Sequence, residues 1–224
     1  MTRVLDYKRR GPEVGQATSL VILLHGYGAD GNDLLGLADP LGEHLPGTAF
    51  VAPDAPEQCV ANPMGFQWFP IPWIDGSDPV AAEEGMMAAA GDLDAFLDQI
   101  AADEEVPPER TILLGFSQGT MMALHVAPKR RAPYAGIVGV SGRLLRPEEL
   151  EETVRVRPSV LLMHGDQDEV VPPESMPEAA QALQDAGFDV YAHVMQGTGH
   201  GIAPDGLSLA LAFMRERLGL ESAG

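Results

Sequence analysis

Cysteine is almost absent. Cys59 stands alone among 224 residues, so no intrachain disulfide can form. No uninterrupted apolar run approaches the roughly 20 residues of a membrane-spanning helix. The N-terminal stretch MTRVLDYKRRGPEVG has basic residues but no apolar segment behind them, so it does not read as a signal peptide. These absences together predict a reducing, cytoplasmic setting. Basic residues are scarce too. Only 14 Lys and Arg face 33 Asp and Glu, a formal net charge of −19. Such a surface repels nucleic-acid phosphates and anionic lipid heads, which argues against nucleic-acid partners and integral membrane association. It also disfavours a strongly anionic substrate unless the site carries its own basic group. The acids are spread through stretches such as DLDAFLDQIAADEE and RPEELEETV and form no tail, so solubility explains them. Metal-ligand spacings and a P-loop are missing, so no metal and no cofactor are expected. Without repeats, low-complexity linkers or a shift in composition, residues 1–224 read as one domain.

What is present is a series of short apolar runs: SLVILLHG (19–26), AFVAPD (49–54), TILLGFS (111–117), GIVGVSG (136–142), SVLLMHGD (159–166) and DVYAHVMQG (189–197). Continuous runs of this length suit strands buried on both faces of a parallel sheet. Helical patterns lie between them at 83–104, 173–187 and 205–219. Strand and helix alternate, which predicts a three-layer α/β fold with its chemistry at the carboxyl ends of the strands.

In LLGFSQG, Ser117 sits between Gly115 and Gly119 where a strand pattern meets a helix pattern. Gly-x-Ser-x-Gly in that context is a nucleophile elbow, a tight turn that lifts a hydroxyl above the sheet and aims the next amide at a developing oxyanion. A serine hydroxyl needs a base, and the base needs a carboxylate to orient it. In this fold the chain order is Ser, acid, His. HGDQDEVVP offers Asp166, Asp168 and Glu169. Asp166 follows Gly165 directly and is assigned to the turn, and Glu169 precedes VVPP with a longer reach, so Asp168 is the expected acid. Of six histidines, only His200 is downstream, on a loop and flanked by glycines. His44 and His125 fall in helix patterns, His193 lies inside a strand, and His164 lies too close to the acids. His25 precedes the serine.

A second glycine pattern, Gly26-x-Gly28-x-x-Gly31 in LLHGYGADGND, is also the dinucleotide-binding fingerprint, and Asp54 ends the next strand at about the expected distance. That alternative is an NAD-binding oxidoreductase. Against it, Asp30 and Asp33 would crowd a pyrophosphate with like charge, and Ser117, Asp168 and His200 would go unexplained. Read as part of a hydrolase, the loop supplies a second oxyanion amide from Tyr27 beside that of Gln118, with His25 bracing it. A further alternative is a non-catalytic hydrolase-fold binding protein. The segment NPMGFQWFPIPWIDGSD (62–78) concentrates aromatics, and Phe66, Trp68, Phe69 and Trp73 are expected to wall the substrate pocket, within an insertion of about 55–78.

These four segments, LLHGYGADGNDL, GFSQGTMMAL, HGDQDEVVP and GTGHGI, together with the aromatic stretch, resemble the carboxylesterase/phospholipase family of α/β-hydrolases, which includes acyl-protein thioesterases and lysophospholipases. The resemblance covers nearly the whole chain. It implies Ser117, Asp168 and His200 as a triad, oxyanion amides at Tyr27 and Gln118, no cofactor, and a compact domain that often pairs as a homodimer. The aromatic segment and the acidic surface then predict a serine esterase acting on neutral or apolar short-to-medium acyl esters, with a thioesterase or lysophospholipase on the same triad as the alternative. Two positions depart from the family pattern. Tyr27 stands where Leu is frequent, and Thr120 follows Gly119 where a further Gly is common.

Overall fold

In the computed structural model, which describes residues 2–220, the apolar runs form strands whose limits fall within two residues of those read from the sequence. The strands are β1 (Tyr7–Arg10), β2 (Ser19–Leu24), β3 (Thr48–Pro53), the two-residue β4 (Glu57–Gln58) and β5 (Phe66–Gln67), β6 (Thr111–Phe116), β7 (Gly136–Val140), β8 (Val160–Gly165) and β9 (Val190–Met195). The helices are α1 (Gly31–Leu35), α2 (Ala38–Gly42), α3 (Pro72–Asp75), α4 (Pro79–Glu104), α5 (Gln118–Val126), α6 (Leu150–Thr153), α7 (Ser175–Asp185) and α8 (Pro204–Arg217). Among the described residues seven strands form one sheet in the order β1-β3-β2-β6-β7-β8-β9. Within that sheet only the β1–β3 pairing is antiparallel; β4 and β5 form a separate antiparallel ribbon.

The sheet is covered on both faces. Leu20, Ile22 and Leu24 of β2 pack with residues of α4, α5 and α7, while Val21 and Leu23 pack on the opposite face with α1, α2 and α8. This explains why β2 reads as unbroken apolar sequence: both sides of the pleat are buried. Helix α4 starts four residues earlier than its apolar pattern suggests. Asp78 caps it by accepting from the Val80 and Ala81 amides, and Pro79 fits the first turn, where no intrahelical donor is needed. Leu93, Phe96, Leu97 and Ile100 are then buried. At about 1.5–3 kcal/mol each, they decide which face of α4 points inward.

Three features differ from the expectation. β1 has no apolar pattern; its sequence is YKRR. It forms because its backbone pairs with β3, Lys8 donates to Asp54, and Arg9 makes a two-pronged contact with Glu104. The acids of α4 are not all solvated, since Glu104 and Asp92 are buried, and Asp92 is held by the Arg3 amide and guanidinium. Finally, β9 is an edge strand with Tyr191 and Val194 exposed, unlike the strands buried on both faces.

Candidate active site

Ser117 joins β6 to α5 with φ 53° and ψ −115°. Such angles cost a non-glycine residue about 1–3 kcal/mol, which the surrounding packing must supply. The flanking glycines are required by contact. A Cβ on Gly119 would lie 1.9 Å from the Leu24 carbonyl oxygen, and one on Gly115 would lie 2.4 Å from the Thr120 nitrogen. The start of α5 therefore presses on the end of β2, and the turn has room for a side chain only at Ser117 and Gln118. Thr120 does not loosen the elbow. Its hydroxyl lies 2.7 Å from the Gly115 carbonyl and 2.9 Å from that of Val140, and accepts from the Val140 amide at 2.9 Å. It thus pins α5 to both β6 and β7.

Asp168 follows β8, and His200 lies on the loop between β9 and α8. His200 Nδ1 donates to Asp168 Oδ2 at 2.8 Å. Asp168 Oδ1 accepts from the Val170 and Val171 amides, both at 2.9 Å. Burial alone would raise the Asp168 pKa. The hydrogen bonds from His200 and the two amides outweigh it and hold the carboxyl below its usual range, so it is ionised at neutral pH. Loop packing fixes the pair: the Gly197 amide donates to Asp166 at 2.7 Å, and the Gln167 amide to the Thr198 carbonyl at 3.0 Å. Ser117 and His200 line one cleft of 170 Å³ with Tyr27 and Trp73, and the Phe116 ring lies 4.9 Å from the His200 ring. No hydrogen bond joins Ser117 to His200 among the described residues. Such bonds commonly tighten when substrate binds.

Gln118 is the first residue of α5, so its amide has no intrahelical acceptor. The loop carrying Tyr27 is fastened through the Gly28 and Ala29 amides and the Asn62 side chain, not through the Tyr27 amide. His25 braces it: Nδ1 donates to the Gly26 carbonyl at 2.7 Å and Nε2 accepts from the Ala55 amide at 2.9 Å. Burial lowers its pKa and keeps the imidazole neutral, as that pairing requires. The dinucleotide alternative loses its acidic residue. Asp54 is buried, accepts from the Gly31 amide at 2.8 Å and pairs with Lys8 at 2.5 Å, so its carboxylate is committed inside the molecule.

The aromatic segment divides. Trp73 lines the cleft and Phe69 an adjoining cavity. Trp68 and Phe66 line neither. Trp68 is 0% exposed and its indole donates to the His25 carbonyl at 3.0 Å, while Phe66 lies in the small β4–β5 ribbon and packs on the core. The expectation that all four wall the pocket is corrected. A ring with a buried polar handle serves better as an internal strut. Composition left other participants unmarked. The Gln118 side chain accepts from the Trp68 amide at 2.8 Å and donates to the Phe69 carbonyl at 2.7 Å, tying the elbow to the aromatic segment. His164 Nε2 lies 3.1 Å from Asp168 Oδ2 and 3.0 Å from the Val171 carbonyl. Both are acceptors, so the proton belongs on Nε2, and Asp168 lies between two imidazoles. For these added participants the sequence carried no signal readable beforehand.

A parallel-stranded sheet with helices on both faces, a strained serine at a strand-to-helix turn, and a histidine–aspartate pair on loops of the same rim define an α/β-hydrolase. The chain belongs to the phospholipase/carboxylesterase family, whose model matches residues 12–218. It is similar to acyl-protein thioesterase 1 of Saccharomyces cerevisiae, 30% identical over 226 residues covering 94% of this chain and 97% of that protein. Acyl-protein thioesterase 1 of Gibberella zeae is 29% identical over 220 residues, covering 92% and 94%. Among solved structures, the esterase PE8 superposes with a TM-score of 0.91 at 44% identity, covering 96% of this chain and 100% of that one.

Proposed function

We propose that the protein is a serine esterase that cleaves neutral or apolar esters through an acyl-enzyme. His200 takes the proton of Ser117 as the hydroxyl attacks the acyl carbonyl. Asp168, ionised and held by the Val170 and Val171 amides, keeps His200 in the Nδ1–H tautomer and stabilises the imidazolium. The amides of Tyr27 and Gln118 receive the oxyanion; losing one such donor typically costs about 100- to 1000-fold in rate. His200 then returns the proton to the leaving alcohol. A water activated by His200 releases the acid and restores the enzyme.

The observation that carries this reading is the 2.8 Å His200–Asp168 bond at a cleft shared with a serine strained to φ 53°. Thioesters are a second substrate class for the same machinery, favoured by the names of the fungal relatives. We further propose that residues 1–224 form one domain and work in the cytoplasm. No helix among the described residues is long and apolar enough to cross a membrane. Pairing as a homodimer also belongs to this reading.

The test is labelling with a fluorophosphonate probe alongside hydrolysis of aryl ester and aryl thioester pairs. Native protein is expected to label and turn over, and Ser117→Ala to do neither. A native protein that stays unlabelled and inert sinks the proposal in favour of a non-catalytic scaffold.

A further inference from the structure

Tyr27 stands between Gly26 and Gly28, and its side chain reaches to helix α3. The phenol donates to Asp75 Oδ2 at 3.0 Å. The same carboxylate holds the helix together: Oδ2 accepts from the Ile71 amide at 2.8 Å and Oδ1 from the Ser77 amide at 2.9 Å. Helix α3 has four residues and buries none of their side chains. Neither helical cooperativity nor core burial can hold so short a turn, so the Asp75 bonds must. Burial, with Cys59 and Asp75 adding to it, pushes the Tyr27 phenol pKa upward and keeps it a donor. Burial opposes ionisation of Asp75, but its bonds from Ser77, Ile71 and Tyr27 win and hold it below its usual range.

Trp73 rides on this turn and is 66% exposed. It borders two spaces at once. One is the 170 Å³ cleft containing Ser117 and His200, and the other is an adjoining cavity of 390 Å³ beside Phe69, Ala82 and Met86. Arg143, from the loop after β7, stacks on the indole at 5.4 Å, a cation–π contact. Trp73 forms the outer part of the wall between the two spaces, over the buried Ile71 and Met121 that also line both, and it is held by a tyrosine–aspartate bond at its base and a guanidinium on its ring.

We propose that Tyr27, acting through Asp75, is a positioning residue that fixes Trp73 as this wall and so restricts the enzyme to esters of short acyl chains. This rests on the serine-esterase reading above. At about 30 Å³ per non-hydrogen atom, the share of a water molecule in liquid, the cleft holds roughly six atoms, an ester group and about three further carbons. With Trp73 displaced, a longer chain can pass over Ile71 and Met121 into the adjoining cavity, which has room for roughly 13 more. The second cavity is apolar along Phe69, Ala82, Met86 and Met121. Each methylene that enters it is worth about fourfold in binding.

The experiment is a p-nitrophenyl ester series from acetyl to dodecanoyl, with kcat and KM measured for native protein, Tyr27→Phe, Asp75→Ala, the double variant and Trp73→Ala. Native kcat/KM should fall at least tenfold from butyryl to octanoyl. Trp73→Ala should raise the octanoyl-to-butyryl ratio about tenfold or more, mainly through KM. Tyr27→Phe and Asp75→Ala should each raise it several-fold, and the double variant should do no more than Asp75→Ala alone, because one link is being cut twice. A ratio unmoved in Trp73→Ala, or rates lost equally at every length, overturns the proposal. Fluorophosphonate labelling of each variant separates the two failures. Labelled proteins with an unchanged length profile refute the latch alone, and an unlabelled native protein refutes the esterase reading beneath it.

Discussion

Replacing Gln118 by Ala removes a side chain that is 0% exposed and makes two hydrogen bonds to the aromatic segment. The partners are the buried Trp68 amide and the Phe69 carbonyl, and neither can turn elsewhere because each is main chain. Leaving a buried polar group unpaired costs about 1–3 kcal/mol, so the pair predicts a loss of about 2–6 kcal/mol. That is a large part of the roughly 5–15 kcal/mol that keeps a domain folded. At about 2–4 °C per kcal/mol for a chain of this size, Tm should drop by at least 4 °C. Gln118→Met separates the hydrogen bonds from packing. It refills the volume but leaves both groups orphaned, so it should lose nearly as much as Ala. Urea unfolding followed by tryptophan fluorescence suits the question, because the chain has two tryptophans and Trp68 is the buried one. A loss under about 0.5 kcal/mol in Gln118→Ala, the size of an ordinary surface change, refutes the reasoning. Full recovery in Gln118→Met refutes it equally, since the effect would then be volume. The backbone amide survives in both variants, so stability should suffer more than chemistry.

His164→Phe removes an imidazole whose Nε2 bonds the Val171 carbonyl and lies 3.1 Å from the ionised Asp168. Losing a neutral bond to the main chain that positions Asp168 is worth about 0.5–1.5 kcal/mol, which predicts a fall in kcat of about 2- to 10-fold with KM little changed. His164→Gln, which can still donate, should recover most of it, and native kcat in His164→Phe would deny His164 any part in holding Asp168. His125 is buried, and burial, aided by the charges of Lys129 and Arg146, pushes its pKa down to about 4. The unfolded chain, with a histidine near 6.5, binds more protons than the folded one, so stability must fall as pH drops below about 6.5. The loss from this group should reach about 2 kcal/mol by pH 5 and level off below pH 4. Urea unfolding at pH 7.5 and 5.0 should show a smaller difference in His125→Gln than in the native protein, and equal differences would refute it.

Much of the fold was legible because burial on both faces of a sheet writes itself as unbroken apolar runs. β2, β6, β7 and β8 are such strands. β1 was not legible, because its stability comes from partners about 45 and 95 residues away rather than from its own side chains. The glycines around Ser117 were readable as a pattern, yet the reason for one of them, the Leu24 carbonyl at 1.9 Å from a would-be Cβ on Gly119, exists only where the start of α5 meets the end of β2. The aromatic segment misled in part. Composition cannot distinguish Trp68, whose indole hangs from the His25 carbonyl inside the molecule, from Trp73, which faces the cleft.

By itself the sequence determined the kind of layered fold and the glycine-flanked turn that carries Ser117, and it suggested the order of the proposed acid and histidine. Periodicity and backbone permissiveness are local properties, carried by neighbours in the chain. Tertiary structure alone decided which aromatic walls the cleft, that Gln118 ties the elbow to that wall, that His164 shares Asp168 with His200, and that Tyr27 reaches Asp75. Each of these is a hydrogen bond or contact between residues that meet only after the chain has closed, with a strength set by burial, and burial belongs to no residue until the others surround it.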